Sequence, residues 1–256
     1  MRKITNILYA IVLACALISC EKNDPISELG ETNGQFAAQL RVSYNNTRPA
    51  IGDTLQVTAS TWQRDDKFSE VRFMETIVET FGINMSLKNG TQLLTKGETE
   101  STLTVIDSIA KANSWLKVAA ADMDKYWVTV TNNYVMVGRY PMVIKEGKYP
   151  NNSSLITKLS DQEFEILKGL LAYTITRADY LVLYPSAPAN HFTNGGTYVL
   201  SQTGINNLKQ TLTKEQLLPV VNSIKKVGKY SVTIDVAAIT STGTATVATR
   251  TFENSL

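Results

Sequence analysis

His191 is the chain's only imidazole. It sits in PANHFTNGG, a run of turn-forming residues that predicts a solvated loop position. A Ser-His-Asp arrangement would also need a nucleophile in a recognisable setting, and the chain has no G-x-S-x-G elbow. Both cysteines, Cys15 and Cys20, lie in the first twenty residues, so one histidine is all that remains for a zinc site of the usual nitrogen and sulfur donors. Carboxylates are the other chemical groups. Asp122 and Asp124 flank Met123, and Asp65 and Asp66 sit in QRDD between two strand-like runs. Neither stretch has the regular oxygens, glycine and distal acid of a calcium loop, so both read as solvated turn or helix-end acids. A glycosidase pair needs no fixed sequence spacing, which keeps a hydrolase in the middle of the chain as an alternative. Gly195-Gly196 follow Asn194 without a Lys-Ser/Thr behind them and predict a turn, not a phosphate loop. No catalytic residue, metal ligand or cofactor is expected.

Aromatic side chains are the remaining candidates for recognition. Tyrosine outnumbers phenylalanine, 11 to 7, and the three tryptophans are Trp62, Trp115 and Trp127. Indole and phenol rings offer a flat apolar face with one polar atom, which suits sugar rings or protein partners. Trp62 enters the QRDD loop and Trp127 opens a hairpin, so the three are the candidate ligand-binding residues, most simply as half-buried sheet positions.

The elements that would position them follow from periodicity. Alternation through Leu40, Val42 and Tyr44, through Leu55, Val57 and Ala59, and through Val71, Phe73 and Glu75 predicts half-buried strands. Asn89-Gly90 predicts a tight hairpin. Ile109, Ala112, Leu116, Ala119 and Met123 recur at three- and four-residue spacing and predict an amphipathic helix over 107–125. A hairpin around Asn132-Asn133 follows. Ser160-Asp161-Gln162-Glu163 is a capping box ahead of the stripe Phe164, Leu167 and Leu171. DYLVLYP, 179–185, reads as a buried strand. A helical pattern runs over 204–227, interrupted at Pro219 and ended by Gly228. The last segment alternates through Tyr230, Val232, Ile234 and Val236, turns at Ser241-Thr242-Gly243 and returns through Ala245 and Val247: a closing β-hairpin.

The N-terminus supplies an address. Arg2 and Lys3 precede an apolar stretch from Ile7 to Leu17, short for a spanning helix and suited to an export signal over residues 1–19, with an uncleaved N-terminal anchor as the alternative. Leu17-Ile18-Ser19-Cys20 resembles the lipobox of bacterial lipoproteins. That resemblance implies cleavage before Cys20, diacylglycerol on its sulfur, and stable anchoring by several acyl chains. Residues 20–34 are polar, contain Gly and Pro, and read as a flexible tether. The whole chain has 25 Lys+Arg against 23 Asp+Glu. Loss of Arg2 and Lys3 leaves 23 of each, so no basic surplus remains for nucleic acid.

IGDTLQVTAST, DDKFSEVRFM and GKYSVTIDVAAITSTGTATVATRTF resemble strands of bacterial immunoglobulin-like domains. This implies a mainly β protein: an Ig-like β-sandwich from 35–100 plus 229–256, interrupted by an α+β segment at 101–228. The lipobox and Ig-like strands together resemble outer-membrane lipoproteins of sugar-uptake systems. The expected role is therefore a non-catalytic lipoprotein of the cell envelope, held in the membrane through lipid on Cys20 and binding a glycan or an envelope protein. A structural, fimbrial-type assembly subunit is the alternative. The triplets Asp53-Thr54-Leu55 and Asp107-Ser108-Ile109 resemble an O-glycosylation sequon of exported proteins.

Overall fold

A computed structural model describes residues 39–62, 67–95 and 103–256. Cys20, the export signal, the tether, and Asp65 and Asp66 lie outside these residues. The fold is mainly β, built from two antiparallel sheets. The first has the order β1-β2-β7-β6, from β1 (Gln39–Tyr44), β2 (Thr54–Trp62), β6 (Trp127–Val128) and β7 (Asn133–Pro141). The second contains β3 (Phe68–Leu87), β4 (Gln92–Leu94), β5 (Val105–Ala119), β8 (Val221–Thr240) and β9 (Ala245–Ser255). Its order is β4-β3-β8-β9, with β5 also pairing β3. Residues 105–141, counted with the intervening segment on sequence grounds, thus contribute strands to both sheets.

Strand formation follows the two-residue period wherever one face is apolar. On β2, Leu55, Val57 and Ala59 are buried while the residues between them are not. Turns form where the backbone permits them: Gly52, Gly90 and Gly243 hold positive φ, and Asp53 braces its turn by accepting the Ala50 amide at 2.8 Å. The Ser160 capping box is present at the start of α2 (Asp161–Thr174).

β3 and β8 are each twenty residues long and serve two cores. Val71, Phe73 and Ile77, with Val232 and Ile234 of β8, pack against Leu55 and Met136 of the first sheet. Further along, Phe81, Ile83, Met85 and Leu87 emerge from the sandwich and face a helical layer. That layer consists of α1 (Leu155–Lys158), α2, α3 (Arg177–Leu183), α4 (Gln202–Thr211) and α5 (Lys214–Leu217). No cysteine occurs after residue 20, so burial, at about 1.5–3 kcal/mol per large apolar side chain, and hydrogen bonding hold these layers together.

Three expectations are corrected. Residues 107–125 are not a helix but most of β5 followed by a 3₁₀ turn, Ala120–Tyr126. β5 shifts register against β3 three times between Ser108 and Leu116. Each inserted residue breaks the two-residue alternation, so the apolar positions fall at mixed spacings that imitate a helix. Residues 179–185 are not a strand: α3 begins after Thr176, whose hydroxyl accepts the Asp179 amide. Finally, the helical pattern of 204–227 ends early. Pro219 sits in a 3₁₀ turn, Leu218–Val220, and β8 starts at Val221, pairing with Leu87.

Within the irregular part of β5, Ala112 has φ +50°. A Cβ in the left-handed region costs about 1–2 kcal/mol, part of which glycine returns as unfolded-state entropy. Ala112→Gly is therefore expected to stabilise the chain by about 0.5 kcal/mol, seen as a higher thermal midpoint.

Candidate binding surface

The junction of the two cores is polar. On the inward face of β3, Glu75 and Glu79 interrupt the apolar series. Glu75 accepts the Tyr140 hydroxyl at 2.5 Å and the Lys145 ammonium at 2.5 Å. Burial, with the hydrogen bond to Glu75, pushes the Tyr140 phenol well above its usual range. Glu79, 1% exposed, accepts Lys226 Nζ at 2.6 Å, and that ammonium also donates to the Tyr149 carbonyl at 3.1 Å. Asp107 and Tyr230 are the register partners of Glu79 on β5 and β8. Asp107 accepts the Lys148 amide at 2.6 Å; the Tyr230 hydroxyl donates to the Val143 carbonyl and accepts the Lys145 amide. A Cβ on Gly147 would stand 2.2 Å from Asp107 Oδ2, so the segment passes at a distance only glycine permits. The three carboxylates thus face ammonium and amide groups of segment 142–149 and of β8, and they strap that segment across the sheet. Among the described residues, no three His, Asp or Glu side chains are grouped to hold a metal ion.

The tryptophans are dispersed. Trp115 lies in the β5 bulge, its ring 5.3 Å from those of Phe73 and Tyr140 and close over Gly138. Trp127 pairs in register with Tyr134, which pairs with the buried Thr61. These three share the inward face of the first sheet, and Trp127 packs edge-on against Tyr134. Trp62 is one residue past Thr61 and therefore points to the other face. Trp62 and Trp127 are both partly exposed but on opposite sides, and they form no common platform.

An exposed aromatic surface occurs instead on the helical layer. Beside its buried stripe, α2 presents Ile166, Gly169, Leu170 and Tyr173, which helical spacing aligns on a second face. With Lys209 of α4 they line a groove of about 260 Å³. The Tyr173 ring stands 5.1 Å from that of Tyr198, with Lys209 Nζ 5.2 Å from the Tyr173 centroid. Tyr173 and Tyr198 are 44% and 49% exposed. Below them the buried Lys168 donates to the Lys209 carbonyl at 2.6 Å and fixes α4 against α2. Tyr198 is delivered by a loop that turns at Gly195 and Gly196, both at positive φ, and is tied by the Thr193 hydroxyl to the Tyr198 carbonyl at 2.7 Å. The sequence signal was a second apolar stripe on α2, and the link to Tyr198 needed the loop's path.

The other expected sites have plain structural places. His191 is half-buried, with Nδ1 2.8 Å from the hydroxyl of the buried Tyr180, so it is tethered rather than freely solvated. Asp122 pairs with Lys125 on the surface. Thr54 and Ser108 of the two triplets are both exposed. Compared with known proteins, this chain matches no family model and no curated protein.

Proposed function

We propose that this chain is a non-catalytic lipoprotein, anchored in the outer membrane through lipid on Cys20, whose helical layer binds a glycan in the groove of Tyr173 and Lys209, beside the ring of Tyr198. The observation that supports it is the pair of exposed tyrosine rings beside a cationic side chain. A sugar ring offers an apolar C–H face and a rim of hydroxyls. Tyr173 and Tyr198 supply faces for the first, and their phenol groups and Lys209 supply partners for the second. The groove's size suits a short saccharide segment rather than an enclosed small molecule. In this reading the two sheets form an immunoglobulin-like sandwich that displays the helices, and the polar junction holds the two rigidly together.

Screening on a glycan array followed by calorimetry tests the proposal. Tyr173→Ala and Tyr198→Ala are each expected to weaken the best ligand at least about tenfold, the scale of one lost aromatic contact, while Trp62→Ala leaves it unchanged. A flat response over a broad panel overturns the reading. Mass spectrometry of the native N-terminus tests the anchor: an unmodified Cys20 removes it.

A further inference from the structure

The groove on the helical layer carries a positive charge that its surroundings do not neutralise. Residues 180–214, which include the loop of Tyr198 and all of α4, contain no Asp or Glu. The carboxylates of α2 are engaged elsewhere. Asp161 faces Lys214 at 3.6 Å, Glu163 accepts the Ser160 amide at 2.6 Å in the capping box, and Glu165 pairs with Lys168 at 2.7 Å. Lys209 is left with the ring of Tyr173, its Nζ 5.2 Å from the centroid, and with no carboxylate among the described residues. A neutral ring thus holds the ammonium at the groove, and its charge stays unpaired.

Gly169 marks the same place. It lies in the interior of α2, where glycine is less stable than alanine. No backbone conformation requires it, since its φ is not positive. A Cβ there would meet Lys209 Cε at 3.9 Å, an ordinary contact, so no steric clash requires it either. What a side chain would take is room in the groove, which Gly169 lines beside the Lys209 stem.

Taking the glycan of the preceding section as the occupant, we propose that it is an acidic one. The sugar presents its C–H face to Tyr173 and an anionic substituent, a carboxylate or a sulfate, to Lys209 Nζ. The stem of Lys209 crosses α2 at Gly169 and carries the ammonium to Tyr173, one helical turn on, so the apolar contact and the charge lie side by side. Lys209 is half-buried, and the Lys168 ammonium already fixes its backbone carbonyl at 2.6 Å, so little ordering remains when the anion arrives.

Calorimetry of the full chain, in a detergent without a sugar headgroup, tests this with matched pairs. Oligouronides are set against their methyl esters, and sulfated oligosaccharides against their desulfated forms. The acidic member of the best pair is expected to bind about fivefold tighter than its neutral counterpart at low salt, a preference that shrinks as salt rises. Lys209→Met keeps the stem and the carbonyl that Lys168 binds. It is expected to abolish the preference while leaving the neutral member within about twofold, and Lys209→Arg is expected to retain the preference. Neutral members bound as tightly as acidic ones, or a preference that survives Lys209→Met, overturn the proposed selectivity and leave the glycan reading standing. A flat response to acidic and neutral members alike overturns both. Should Lys209→Met fail to fold, a preference that is the same at low and high salt overturns the selectivity instead.

Discussion

Asp179→Asn is expected to destabilise the chain by about 3 kcal/mol, with the denaturation midpoint lowered and the denaturant slope unchanged. Asp179 is 0% exposed yet accepts four hydrogen bonds: from the Asn89 amide at 2.8 Å, the Thr91 amide at 2.9 Å, the Thr91 hydroxyl at 2.6 Å and the Thr176 hydroxyl at 3.1 Å. An amide of the same shape keeps one acceptor oxygen and turns two N–H groups toward donors, so buried donors lose their partners at about 1–3 kcal/mol each. Asp161→Asn, at a fully exposed carboxylate, is the matched control and is expected to stay within about 0.5 kcal/mol. The pH dependence is a second readout. Burial alone would raise the Asp179 carboxyl, but hydrogen bonds from Thr91, Asn89 and Thr176 outweigh it and hold the group below the usual Asp value of 3.8. A lowered folded value means that its stabilisation is complete above 3.8 and fades as pH falls through the lower folded value. The gap between the native chain and Asp179→Asn should therefore narrow only in strong acid. Because these bonds tie the β3–β4 turn to α3, the variant should also loosen the layer that carries the tyrosine groove.

The elements legible in the sequence are those where one local signal acts alone. β2 and the β8–β9 hairpin alternate without interruption, and Gly52, Gly90 and Gly243 mark turns whose φ only glycine adopts freely. Ser160 and Glu163 announce a helix start within four residues. β5 failed that test because bulges around Trp115 alter its period, and α3 failed because a short apolar run does not distinguish helix from strand. The Thr176 cap, three residues before Asp179, was the overlooked clue. The polar junction was illegible for a different reason. Glu75 and Glu79 are charged residues on a buried face, tolerated because Lys145 and Lys226 arrive from 70 and 147 residues away. The tyrosine groove likewise requires the 192–200 loop to return Tyr198 to α2, which no local pattern encodes. Tryptophans attract notice in a sequence, but neighbouring strand residues alternate faces, and that alternation separates Trp62 from Trp127.

Lys226→Met is expected to destabilise the chain by about 4 kcal/mol, and Glu79→Leu by about 3, whereas the double variant should return to within about 1 kcal/mol of the native chain. Each ion is nearly out of water: the side chains of Lys226 and Glu79 are 9% and 1% exposed. Removing the lysine leaves Glu79 without its cation while Asp107 stands opposite it in register on the same face, so a buried like-charge pair replaces a neutralised cluster. Removing the glutamate is milder, because the ammonium keeps the Tyr149 carbonyl and the face of Phe81, 5.3 Å from its centroid. Removing both substitutes apolar volume where apolar neighbours already exist: Phe81 on one side, and Ile83, the cross-strand partner of Lys226, on the other. The coupling energy of the cycle should therefore exceed either residual, and it measures the penalty of an unpaired charge rather than the net worth of the pair. Equal and additive losses would instead mean that water reaches the junction and screens each ion separately. What the native pair adds is placement. Lys226 binds Glu79 and the Tyr149 carbonyl together, and so holds the end of segment 142–149 against β3 where the sandwich gives way to the helices. The double variant, though stable, is expected to lose that tie, and faster hydrogen exchange at the Lys148 and Tyr149 amides, relative to the native chain, is the measurement that shows it.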